Sequence, residues 1–148
     1  MVVTLQEARE LIEGFEAGTY PGSQWTHASH FVMALWYLHH FPYEVASDKI
    51  KNGIKAYNLS QGGINSETEG YHETLTEFFI RMIEEFRENS NGKDFIDTLN
   101  ALLASPLIEK DFPLTYYTKA ELFSKRARLS WLAPTRQPLL ERKQATIS

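Results

Sequence analysis

The sequence predicts an all-α fold, a helical bundle of about five to seven helices in one domain with an irregular C-terminal tail. Three observations carry that expectation. Apolar residues recur at helical spacing in segment after segment, as in Leu5, Ala8, Leu11, Ile12 and Phe15. Residues 25–43 contain no Asp, Glu, Lys or Arg, which marks a helix buried on most sides. Hydroxyl-then-acid spacings of the capping-box type stand where helices would open, at Ser66–Glu69 and Thr118–Glu121.

In chain order, Thr4 is the natural N-cap of a first helix and Gly18 its end. A turn at residues 20–23 leads to a second helix from about Thr26 to Phe41, stopped by Pro42. This charge-free helix is expected to be central. A third helix, residues 43–57, puts Val45, Ile50, Ile54 and Tyr57 inward and Glu44, Asp48, Lys51 and Lys55 outward. Gln61-Gly62-Gly63 breaks the pattern. A long fourth helix then starts as early as residue 67 and runs to about Asn89. Its inward stripe is Leu75, Phe79, Met82, Ile83 and Phe86, with Glu77, Arg81, Glu84 and Glu88 opposite. A turn at Asn91-Gly92 precedes a fifth helix over residues 94–104. Ser105-Pro106 opens a short one, and a last helix runs from Thr118 to about Ser130. Pro134 and Pro138 mark the tail, residues 134–148.

Composition narrows the function. The chain has 148 residues, 43% of them hydrophobic and 13% aromatic, enough to build a core. A net charge of -4 gives nucleic acid no broad electrostatic reason to bind. With no cysteine, thiol catalysis, disulfides and thiolate metal sites are excluded, so a metal would need imidazole and oxygen ligands. The first residues lack the pattern of a secretory signal, and the longest apolar run, residues 31–38, is far short of a membrane span. The expectation is a cytoplasmic protein without membrane association, its oligomeric state left open.

Five histidines are present, and three draw attention. His27 and His30 lie three apart on the second helix and share a face, with Cβ atoms about 5–6 Å apart. His72 falls in phase with the inward stripe of the fourth. All three sit near the starts of their helices, so antiparallel or crossed packing would bring three imidazoles together, the ligand count of catalytic metal sites. Glu69 and His72 form Glu-x-x-His, the spacing of carboxylate metal sites in helical bundles. Glu73 lies about 100° round the helix from His72, towards the polar side. Helical phase therefore favours Glu69 as ligand, and a later helix start favours Glu73 as acid/base or outer support. His39 and His40 are read as complements to a helix C-terminus. Arg128 is a candidate for holding an anionic group by bidentate bonds, and Trp25 and Thr76 are candidates for the pocket wall. No phosphate-cradling glycine loop, Gly-x-Ser-x-Gly elbow or His-Glu-x-x-His motif occurs.

Trp25-Thr26-His27-Ala28-Ser29-His30, then Tyr71-His72-Glu73-Thr74-Leu75-Thr76, then Ala127-Arg128 with Trp131 and Pro134, resemble the signature blocks of a family of small uncharacterised bacterial proteins. The resemblance spans about residues 10–140. It implies that Trp25, His27, His30, Tyr71, His72, Glu73, Thr76 and Arg128 belong to a recurring pattern, and it carries no settled activity.

Two functions follow as expectations. The first is a small metal-dependent enzyme acting on a small molecule, including an anionic one. His27, His30, His72 and Glu69 would hold Zn, Fe, Mn, Ni or Cu, with Glu73 and Arg128 catalytic and Trp25, Tyr71 and Thr76 lining the substrate pocket. The second is a non-catalytic ligand- or partner-binding module with a metal-free histidine pocket.

Overall fold

A computed structural model describes residues 2–139, and among them are seven α-helices, three short 3₁₀ turns and no strand. The fold is all-α. Helix α1, Leu5–Ala17, opens on a complete capping box between Thr4 and Glu7 and ends at Gly18, whose φ of 72° places it in the left-handed region that closes helices. It buries Ala8, Leu11, Ile12 and Phe15, the expected stripe. Helix α2, His27–His40, is capped by Thr26, whose side chain accepts from the Ser29 N–H while Ser29 Oγ accepts from the Thr26 N–H. At the far end the His40 Nδ1–H donates to the Trp36 carbonyl at 2.8 Å, a local C-terminal contact of the kind expected for this pair.

Helix α2 is central. It packs against α1, against α3 (Tyr43–Ser60), against α4 (Glu73–Glu88) and against α5 (Phe95–Leu103). Its residues Phe31, Val32, Met33, Ala34, Leu35, Tyr37 and Leu38 are all buried. Each large apolar side chain so buried contributes about 1.5–3 kcal/mol, and any charge among them would be desolvated without a partner. That is the physical reason for the charge-free stretch.

Two short helices, α6 (Lys119–Leu122) and α7 (Lys125–Leu129), stand where one was expected. The Ser124 side chain accepts from the Ala127 N–H and so begins a new helix in mid-segment. These helices and the 3₁₀ turn Phe112–Thr115 cover the outer face of α4. A second apolar cluster of Phe78, Met82, Tyr117 and Leu122 forms there. Helix α4 is therefore buried on two sides. Phe78 and Ile80, outside the expected stripe, are buried, and so is Glu84, whose carboxylate accepts from the Arg87 Nε–H at 2.6 Å. Val45, expected inward, is 42% exposed.

The start of α4 also differs from expectation. Residues 66–69 form a turn in which Ser66 Oγ accepts from the Thr68 and Glu69 N–H groups. Gly70 follows at φ 78°, with the Ile64 carbonyl oxygen standing where a Cβ would sit. Such a residue ends any helical run through Glu69, so α4 begins only after His72, its N-cap. Residues 131–139 are irregular, which includes the expected tail from residue 134, and the rest of that tail, 140–148, lies outside the described residues. Among the described residues no helix is long and apolar enough to cross a membrane.

Candidate functional site

A cavity of about 470 Å³ opens between α2, α3 and α4. From α2 it is lined by His27, His30, Phe31, Met33 and Ala34, and from α3 by Ile50, Ile54 and Asn58. Gly70, Tyr71 and His72 close one end, and Leu75, Thr76, Phe79, Ile80 and Ile83 of α4 complete the wall. The three histidines expected to share a site do line one cavity. So do Tyr71 and Thr76. Trp25 and Glu69 do not; they line a separate groove of about 320 Å³, which shares only Asn58 and Gly70 with the cavity.

The ring nitrogens decide what the histidines can do. His72 Nδ1 accepts from the Leu75 N–H at 3.1 Å, capping α4, while its Nε2–H donates to the Leu122 carbonyl at 2.7 Å. Both nitrogens are used, and the first bond exists only while Nδ1 is unprotonated. His30 is equally committed. Its Nδ1–H donates to the Thr26 carbonyl at 3.0 Å, and its Nε2 accepts from the Trp25 indole N–H at 3.2 Å. The Trp25 ring is itself stacked on Phe15 with centroids 5.0 Å apart. His27 differs. Its ring meets Phe31 and Phe79 edge-on, at 5.0 and 5.7 Å between centroids, and its Nε2 is buried with no partner.

Burial pushes all three imidazoles below their ordinary pKa. For His27 the loss of water outweighs the support of the Ile108 backbone, and Lys110 adds to the lowering. For His30 burial outweighs the Thr26 carbonyl. For His72 burial outweighs the Leu122 carbonyl, with the Arg128 charge acting in the same direction as burial. The cavity is thus walled by neutral imidazoles, apolar side chains and the uncharged polar groups of Asn58, Tyr71 and Thr76, with no Asp, Glu, Lys or Arg in its lining.

Glu73 faces away from this wall into an ion network. Its carboxylate accepts the Tyr71 O–H at 2.6 Å and pairs with Lys51 at 2.9 Å. Lys51 also pairs with Glu77 at 2.7 Å, and Glu77 with Arg81 at 2.6 Å. Burial raises the Glu73 pKa, but the bonds from Tyr71 and Lys51 outweigh it and hold the carboxyl below its usual range. A carboxylate so stabilised is a poor base at neutral pH. Tyr71 is pushed in the opposite direction, first by burial and then by Glu73. Arg128 donates through Nη1 to the carbonyls of Gly70 and Tyr71, at 2.8 and 3.4 Å, and lines neither the cavity nor the groove. It holds the turn before α4.

A metal held by His27, His30, His72 and Glu69 does not fit this donor set. His30 and His72 have no ring nitrogen to give without breaking a bond that shapes the site. Glu69 is turned into the other groove, and no group of three or more His, Asp or Glu side chains among the described residues converges as metal ligands would. Two contributors were missed in the sequence. Lys51, assigned outward by helical phase, is half-buried between Glu73 and Glu77, and Asn58 reaches the cavity mouth, where it donates to Asn65 at 3.0 Å. Compared with known protein families, curated proteins and solved structures, the chain matches none.

Proposed function

We propose that this protein binds a small molecule in the cavity between α2, α3 and α4, without a metal, as a ligand-binding helical module. The observation that carries the reading is a mainly apolar cavity of about 470 Å³ whose wall also carries the polar side chains of His27, Asn58, Tyr71 and Thr76. Cavities of roughly 300–1,000 Å³ with apolar walls and a few placed polar groups are the usual form of small-molecule sites.

The same geometry weighs against the metal-dependent enzyme. Recruiting His72 to a metal ion would uncap α4 or release Leu122, and recruiting His30 would free the Trp25 indole inside an aromatic cluster. Nor does Glu73 offer a general base, being committed to Lys51 and Tyr71. The test is elemental analysis of untagged protein, with melting curves in added Zn²⁺, Fe²⁺, Mn²⁺, Ni²⁺ and Cu²⁺. The expected result is no stoichiometric metal and no rise in melting temperature. A stoichiometric ion whose loss follows His27→Ala, His30→Ala and His72→Ala alike would restore the metal reading.

A further inference from the structure

The dipeptide Asn-Gly occurs twice in the chain, at residues 52–53 and 91–92. It carries a reaction of its own, because no side chain on the glycine shields the backbone nitrogen. That nitrogen attacks Cγ of the asparagine and loses its proton, ammonia leaves from Cγ, and a cyclic imide closes. Water then opens the ring. Breaking the new bond between nitrogen and Cγ leaves aspartate. Breaking the original peptide bond leaves isoaspartate, whose main chain runs through Cγ. Either way one water enters and one ammonia departs.

Sequence and exposure do not separate the two sites, since both asparagines are exposed. The backbone does. Asn52 and Gly53 lie inside α3, where the Gly53 N–H belongs to the helix ladder. The Gly53 backbone is also packed on the buried ring of Phe15, so closely that a Cβ there would stand 2.7 Å from two ring carbons. Bringing the glycine nitrogen to the Asn52 Cγ means opening the helix against that contact.

Asn91 and Gly92 stand in the turn between α4 and α5, at φ 51° and 77°. Asparagine and glycine adopt this left-handed conformation more readily than other residues. Among the described residues no hydrogen bond holds the Gly92 N–H or the Asn91 side chain, and the Lys93 N–H closes the turn on the Ser90 carbonyl at 3.2 Å. A Cβ at Gly92 would meet nothing within 4 Å. Opening such a turn costs little beside opening a packed helix, so the reacting atoms meet often at Asn91 and rarely at Asn52.

We propose that Asn91 is a site of spontaneous deamidation and isomerisation, and that α3 protects Asn52 from the same reaction. The product places a new carboxylate in the α4–α5 turn and makes the net charge one unit more negative than its -4. In the isoaspartyl form the main chain gains a methylene between Ser90 and Lys93, inside the loop that their hydrogen bond closes. Asp94, the N-cap of α5, follows two residues after Gly92, so the change is felt first where α5 begins.

The experiment incubates the full chain in mildly alkaline buffer, folded and in parallel unfolded in guanidinium chloride. Samples are digested at acid pH and read by mass spectrometry with fragmentation that tells aspartate from isoaspartate. In the denatured chain both asparagines are expected to convert at similar rates, since glycine follows each. In the folded chain Asn91 is expected to convert at least about tenfold faster than Asn52, the ratio that about 1.4 kcal/mol of extra opening free energy imposes, and to give both products. Asn91→Gln should remove the acidic form that ion exchange separates from the folded protein. Rates no further apart in the folded chain than in the denatured one would overturn the proposal, as would an Asn91 that stays intact when folded. Aspartate without isoaspartate at residue 91 would mean direct hydrolysis of the amide and would sink the imide route.

Discussion

At the residue scale, His72 shows how a side chain that reads as chemistry in a sequence can be spent on structure. A histidine N-cap is unusual beside the Ser, Thr, Asp and Asn that generally fill this position, and it works here because the ring reaches Leu75 N–H with one nitrogen and Leu122 O with the other. Replacing it with alanine removes the cap and leaves a buried carbonyl unpaired, an expected loss of about 1–3 kcal/mol by urea denaturation. The bond also makes stability pH-dependent. His27, His30 and His72 all have folded pKa values below the unfolded value of about 6.5. Below that pH the unfolded chain takes up protons that the folded chain refuses, so stability that is complete above about pH 6.5 is lost as pH falls through the folded values. The urea midpoint should therefore drop between pH 7.5 and pH 5.5. In His72→Asn, which keeps a capping oxygen but cannot titrate, the drop should be shallower. An identical slope in both proteins would show that His72 is not among the groups responsible.

At the scale of elements, the turn before α4 is the part of the site most dependent on one residue. Gly70 is left-handed, with its Cβ position against the Ile64 carbonyl, and the carbonyls of Gly70 and Tyr71 are held by Arg128 from α7. Gly70→Ala combines an unfavourable φ with a backbone clash, and is expected to destabilise the fold by more than about 1 kcal/mol. Its melting temperature should fall correspondingly. Unchanged melting would mean that the turn reshapes freely. This element also shows where reading from sequence stops. Ser66-Glu67-Thr68-Glu69 has the spacing of a capping box, and the same spacing at Thr4 and at Thr118 does open a helix. At Ser66 the hydroxyl closes a turn instead, because the left-handed Gly70 intervenes before four residues can stack. Glu69 and His72 were thereby separated, although Glu-x-x-His spacing joins them on paper.

At the scale of the whole molecule, α2 is the element the others are built on. Leu35, fully buried on it, is expected to lose about 2–5 kcal/mol on replacement by alanine, from lost burial and an unfilled cavity. Urea denaturation reads this directly, and a change below 1 kcal/mol would mean that the neighbouring helices close over the gap. The second cluster, Phe78, Met82, Tyr117 and Leu122, explains why a single inward stripe described α4 poorly. A helix covered on both sides by parts of the chain far apart in sequence has no one phase to find. Glu84 shows the same effect, reading as surface by period yet buried, with its carboxylate paired to the partly exposed Arg87.

The all-α class, the central place of α2, the caps at Thr4 and Thr118 and the sharing of one cavity by His27, His30 and His72 were legible along the chain. Each rests on local signals or on the cost of burying charge, which act along the chain. Which imidazole nitrogens remain open could be read only from the folded molecule, because it depends on Leu122, Trp25 and the Thr26 carbonyl arriving at particular distances. Three histidines on inward faces look alike in a sequence. Their partners leave one with an unsatisfied nitrogen and turn the other two into supports of the wall around it.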